Sequence, residues 1–190
     1  MLMPPALRKL ALTAHVASSV GWLGSVAVFL VLAVAGLTGR DAERVRGIYV
    51  ALETTGWYVI VPLAFASLLT GVVQSLGTTW GLLRHYWVLA KLALTVVATS
   101  LLLLHMQVAD RVADTAARTN LSSGDLNGMR VQLVADAAAA VAVLLTATAL
   151  SIYKPRGITR YGWRMQHKQR AARAGDAATE TAVPARHSAA

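Results

Sequence analysis

The residues able to do chemistry are few, and most stand in apolar surroundings. His15, Lys91, His105 and Asp136 lie within long hydrophobic stretches, and Gln74, His85 and Gln132 lie inside or at the ends of others. Imidazole can ligate a metal or haem and can accept a proton. A lysine amine and an aspartate carboxylate can pair with it or transfer protons. An ionisable group at the centre of a membrane helix costs about 2.5–3.5 kcal/mol on insertion scales and is a functional candidate by default. The chain has no cysteine, so a thiolate nucleophile, an iron–sulfur cluster, a Cys-zinc site and a disulfide are all excluded. His105-Met106 pairs an imidazole with a thioether, which suits copper. No further Met or His at ligand spacing supports it.

The surroundings of these residues are set by composition. Of 190 residues, 56% are hydrophobic and 14% charged, against about 25% charged in soluble domains. No Asp, Glu, Lys or Arg occurs from Leu10 to Gly39 or from Thr54 to Leu83. Two further apolar segments, 86–108 and 131–153, each hold one charge, Lys91 and Asp136 respectively. A bilayer core of ~30 Å needs about 20 helical residues, and lipid offers the backbone no hydrogen-bond partner. The expected fold is therefore all-α, an integral membrane four-helix bundle with spans at about 10–36, 54–76, 86–108 and 131–153. A signal-peptide core of about 7–15 residues is shorter than the first run, so the first helix is expected to be retained. Pro62 predicts a kink in the second span, and Gly21, Gly24 and Gly71 would let backbones approach closely.

Charge placement predicts orientation. Arg8, Lys9, Arg84 and the eight basic residues after Tyr153 would share one side; Arg40, Arg44, Arg46, Arg111, Arg118 and Arg130 would share the other. The positive-inside rule then puts both termini in the cytoplasm of a bacterial-type plasma membrane. Residues 1–9 form a short N-terminus, and 154–190 a basic cytoplasmic tail expected to be disordered after about 171. The formal net charge is +9. Its concentration in the 154–173 segment fits anionic headgroups and not nucleic acid, for which no fold motif is present.

Depth along the spans sorts the polar residues into two layers. His15, Gln74, His85 and Lys91 fall toward the cytoplasmic side. His105 follows Lys91 by a length of helix that spans ~21 Å and returns to nearly the same face. Gln132 and Asp136 share its level, with Glu53 at the outer end of the second span. Polar and small stripes, such as His15, Ser18, Trp22 and Ser25, should face the bundle interior. Two readings stand beside each other for these groups. Lys91 either joins His15 in the interior or snorkels to headgroups, and His105 and Asp136 either form a structural pair or part of a site.

The pattern of His15, Trp22 and Gly24 resembles the first-helix H-x6-W-x-G pattern of small bacterial membrane proteins of unknown function grouped near the CopD copper-resistance domain. Trp87, Lys91 and Leu92 resemble their third-helix W-x3-K-L pattern, and HemJ-type haem-b proteins share a related pair. The stretches Gly77–Trp87 and Tyr153–Gly162 are similar to the same group. The resemblance implies a four-helix membrane fold and a haem-b site, with His15 at the first-helix histidine and Lys91 at the third-helix lysine. His85 or a partner residue is an alternative opposite ligand, with Trp22 in the same layer. The HemJ-type first helix goes on with an Arg and a further His, where this chain has Phe29-Leu30-Val31-Leu32. What carries over is haem binding and not the oxidase reaction.

Three functions follow as expectations. The first is a structural or partner-binding membrane subunit, or a homo-oligomer, whose polar layers fix packing. The second is a haem-b redox protein using His15 and the Lys91 layer. The third is a small transporter or proton relay that uses both layers.

Overall fold

The computed structural model describes residues 3–77, 85–118, 124–153, 157 and 159–182. Among these the fold is all-helical, with six α-helices and one π-helical turn. The helices are α1 (Pro5–Thr38), α2 (Ala42–Thr55), α3 (Val61–Gly77), α4 (Tyr86–Arg118), α5 (Gly124–Tyr153) and α6 (Arg160–Ala182), and the π turn is Gly56–Ile60. Four helical segments are long and apolar enough to cross a membrane: Pro5–Thr38, Ala42–Gly77, Tyr86–Val112 and Asn127–Tyr153. Helix α1 lies between α3 and α5, and α4 contacts both of these, so α1 and α4 face each other across the bundle. Large apolar side chains such as Val20, Val31, Leu69, Leu101 and Ile152 cover the outside, as suits a surface solvated by lipid tails.

Each expected span lies within one of these helices, and the helices run further. The charged stretch before the second span is helical from Ala42. Asp41 starts it, its carboxylate accepting from the Arg44 N–H at 2.9 Å, the usual service of an N-cap aspartate. Val45, Tyr49 and Leu52 are buried at helical spacing, so the intervening charges point outward. Pro62 has no N–H to donate back to its own helix. The chain accommodates it by widening the preceding turn, in which the Val61 N–H bonds to the Gly56 carbonyl. Met106 fills the space where a Cβ on Gly56 would stand.

At the other end, the tail departs from the expected disorder beyond about 171, because α6 continues to Ala182. That stretch is rich in alanine, the strongest helix former. Thr159 caps α6, its hydroxyl accepting from the Gly162 N–H at 3.1 Å. Arg84, Lys154, Arg156 and Arg186 lie outside the described residues.

The core runs along one stripe of α1, through Trp22, Val26, Phe29 and Ala33, against Tyr49, Met106, Leu133 and Ala137. One end of it is fastened by Arg130, which the charge pattern assigns to the side away from the termini, just before the fourth span. The residue is buried. Its Nε donates to the Tyr49 hydroxyl at 2.8 Å. Its Nη2 donates to the carbonyls of Gly36 and Leu37. These are among the last carbonyls of α1, which have no helical partner and attract a cation. The guanidinium also lies 5.6 Å from the centre of the Tyr49 ring, within cation–π range. Gly36 admits that ring, since a Cβ there would stand 3.1 Å from the Tyr49 hydroxyl.

Candidate functional site

The half of the bundle at the N-terminal end of α1, the inner half, holds a chamber of about 530 Å³ lined by α1, α3, α4 and α5. His15 enters it from α1. The Nδ1 atom lies 3.1 Å from the Ser67 carbonyl and 3.2 Å from the Thr70 hydroxyl, both on α3. A carbonyl only accepts, so Nδ1 carries the ring hydrogen and Nε2 carries the lone pair. Thr70 is free to accept as well, because its own hydrogen goes to the Ala66 carbonyl at 2.6 Å. Gly71 leaves room for the ring, since a Cβ at that position would stand 3.0 Å from His15 Cε1.

Lys91 comes from α4, on the opposite side of the bundle. Its Nζ lies 3.3 Å from His15 Nε2, donating to the lone pair. The lysine therefore turns into the interior, toward His15. Trp22 and Gln74 line the same chamber, together with Ser19, Trp87 and Thr95. His85 does not line it. That residue precedes α4, where its carbonyl accepts from the Val88 and Leu89 N–H groups. The inner layer is thus His15, Lys91, Gln74 and Trp22, with His85 outside it.

The glycines divide differently from expectation. Gly21 packs against the Leu63 side chain. Gly71 makes space for an imidazole and not for a neighbouring backbone. Nothing lies within 4 Å of a Cβ at Gly24, so that residue is not a point of close helix approach.

The outer layer forms around a second cavity of about 330 Å³. His105 Nδ1 donates to Asp136 Oδ2 at 2.9 Å. His105 also meets Phe29 edge-on, with ring centres 6.1 Å apart. Gln132 and Asp136 line this cavity, and Glu53 does not. Trp22 and Leu144 line both cavities and form the partition between them.

Between the layers, hydroxyls on α4 turn back to their own helix. Thr95 donates to the Lys91 and Leu92 carbonyls, and Thr99 to the Thr95 carbonyl.

A haem-b site needs a strong nitrogen ligand and a dry slot between helices. His15 meets the first need once Lys91 Nζ, which donates to its Nε2 at 3.3 Å, moves off that lone pair. A ligating histidine commonly donates its other N–H to a carbonyl, which fixes the tautomer and aims the lone pair, and Ser67 supplies that carbonyl. The chamber meets the second, with mostly apolar walls and a volume within the range of about 300–1,000 Å³ typical of cofactor pockets. Lys91 offers a second nitrogen from the facing helix. Among the described residues, no three His, Asp or Glu come together as a metal-binding group.

Sequence reasoning put His15 and Lys91 at one depth and His105 and Asp136 at another, and left open whether either pair meets. It missed Arg130 as a fastening residue and Ser67 as the acceptor that sets the His15 tautomer. No short-range signal marks Arg130, whose partners Gly36 and Tyr49 are remote in sequence. Ser67 stood in a polar stripe, but its part is played by its backbone carbonyl, which no residue type reveals. No family model matches the chain, and no curated protein or solved structure does so either.

Proposed function

We propose that this chain is a haem-b-binding protein of a bacterial-type plasma membrane. Both termini lie in the cytoplasm, and His15 is the axial ligand in the inner chamber. One observation carries the reading. The His15 lone pair is aimed by the Ser67 carbonyl toward Lys91 on the facing helix, beside a chamber of about 530 Å³. Bound haem would supply one-electron redox chemistry within the membrane. The chain's own residues do the rest. Ser67 and Thr70 orient the imidazole, Lys91 presents a nitrogen from across the chamber, and Trp22, Leu68 and Leu92 exclude water. The basic segment at 154–173 holds the cytoplasmic end on anionic headgroups.

A structural or partner-binding subunit is the competing reading. It accounts for the hydrogen bonds of both layers. A purely structural role does not account for an open chamber beside the His15–Lys91 pair, because interiors that serve packing alone are filled. The relay reading is weaker still, since the hydroxyls of Thr95 and Thr99 are engaged with their own helix.

The test is a haem titration of the detergent-purified protein. The expected result is a saturable Soret band, with sharp α and β bands on dithionite reduction. A protein that stays colourless after haem addition contradicts the proposal.

A further inference from the structure

The Lys91 amine has a part in the inner chamber that goes further than facing His15, and it rests on the haem reading. A lone pair serves one partner at a time. While Lys91 Nζ donates to His15 Nε2 at 3.3 Å, the imidazole cannot ligate iron. A ligand must first draw the amine away.

The lining of the chamber indicates what can do so. Among the described residues Lys91 is the only Lys or Arg that lines it, and no Asp or Glu does. Lys91 is half-buried, and a charged amine enclosed without an anion is costly. The hydroxyls around it are spent as donors. Ser75, Thr95 and Ser151 give their hydrogens to carbonyls of their own helices. Gln74 and Trp87 are neutral. An anion entering the chamber therefore finds its strongest partner at Nζ, in a charge-assisted bond roughly twice as strong as a neutral one.

The lining is also graded along the bundle. One end is closed by Trp22, Leu23 and Leu144, and the other carries Gln74, Ser75, Trp87 and Ser151. The polar end lies at helix termini. Gln74 stands three residues before the end of α3, Ser151 two before the end of α5, and Trp87 is the second residue of α4. Lys91 follows Trp87 by about one turn. A ligand matched to both ends is apolar over most of its body and acidic at one edge. Haem has that form, a flat apolar ring with its carboxylates on one edge.

We propose that Lys91 is a latch on His15 that a haem carboxylate releases. The amine leaves Nε2 for the carboxylate and keeps its protons, and the freed lone pair becomes available to iron. The nitrogen that Lys91 presents thus serves the acid edge of the ligand and not its metal. The chamber selects the free acid over a neutral ester.

The experiment is a spectroscopic titration of the full-length, detergent-purified protein with haem and with haem dimethyl ester, repeated on Lys91→Met. In the unmodified chain the ester is expected to bind about tenfold or more weaker than haem, as the loss of one charge-assisted hydrogen bond implies. In Lys91→Met the two should bind alike. The ester should also bind that variant several-fold more tightly than it binds the unmodified chain, because no amine occupies Nε2. Equal binding of haem and ester by the unmodified chain overturns the inference and leaves the haem reading standing. So does a preference that survives in Lys91→Met, or ester binding that the substitution does not strengthen. No Soret band with either compound in either chain overturns the haem reading, and this inference with it.

Discussion

The two halves of the bundle use the same residue type to opposite ends. In the inner half, the Nδ1 hydrogen of His15 goes to a backbone carbonyl, and its lone pair faces a lysine. In the outer half, the Nδ1 hydrogen of His105 goes to a carboxylate, and its Nε2 is buried with no hydrogen-bond partner among the described residues. A carbonyl is neutral and only orients a ring, whereas a carboxylate also places a negative charge beside it. The inner imidazole is thus arranged as a ligand beside an amine, and the outer one as half of a pair with Asp136. The helix ends differ too. The outer end is fastened by a buried arginine clamp, and the inner half keeps its volume open.

The comparison can be broken most severely at His15. In His15→Ala the Soret band should be lost, since alanine offers no ligand, while His105→Ala should keep it. Absorption spectra of the two purified variants check this. Next in size is the outer clamp. Arg130→Ala removes a donor that serves several buried acceptors, and about 2–3 kcal/mol of stability should go with it. Arg130→Lys should recover little, because an ammonium cannot reproduce the planar fork. Thermal melts in detergent, with Soret absorbance of the surviving folded protein, separate this loss from any loss of ligand.

A smaller effect sharpens the inner half. Gly71→Ala puts a methyl group 3.0 Å from the His15 ring. The ring must shift, and haem affinity should fall about tenfold, equivalent to ~1.4 kcal/mol, in a spectroscopic titration. The smallest effect is a control. Gly24→Ala meets nothing within 4 Å and should leave affinity unchanged, with a melting point equal or slightly raised by the better helix propensity of alanine.

Much of this was legible in the chain, for particular reasons. The four spans follow from two runs without charge and two that hold a single charge each. The shared depth of His15 with Lys91 and of His105 with Asp136 follows from position along helices of known rise. What was not legible was non-local. A scan for apolar runs stops at Arg40–Glu53, although Val45, Tyr49 and Leu52 keep the helical period through that charged stretch. Gly71 reads as a helix-contact glycine, and only the fold reveals that it faces an imidazole. Arg130 reads as a loop charge because its partners are brought together only by the packing of α1, α2 and α5.

The central claim is that the inner histidine, and not the outer one, is a haem ligand. Reduced-minus-oxidised spectra of the purified chain, of His15→Ala and of His105→Ala, all prepared with the same haem supply, test it most directly. The account predicts sharp α and Soret bands in the unmodified chain and in His105→Ala, and none in His15→Ala. Bands that persist in His15→Ala, or their absence from all three, would contradict it.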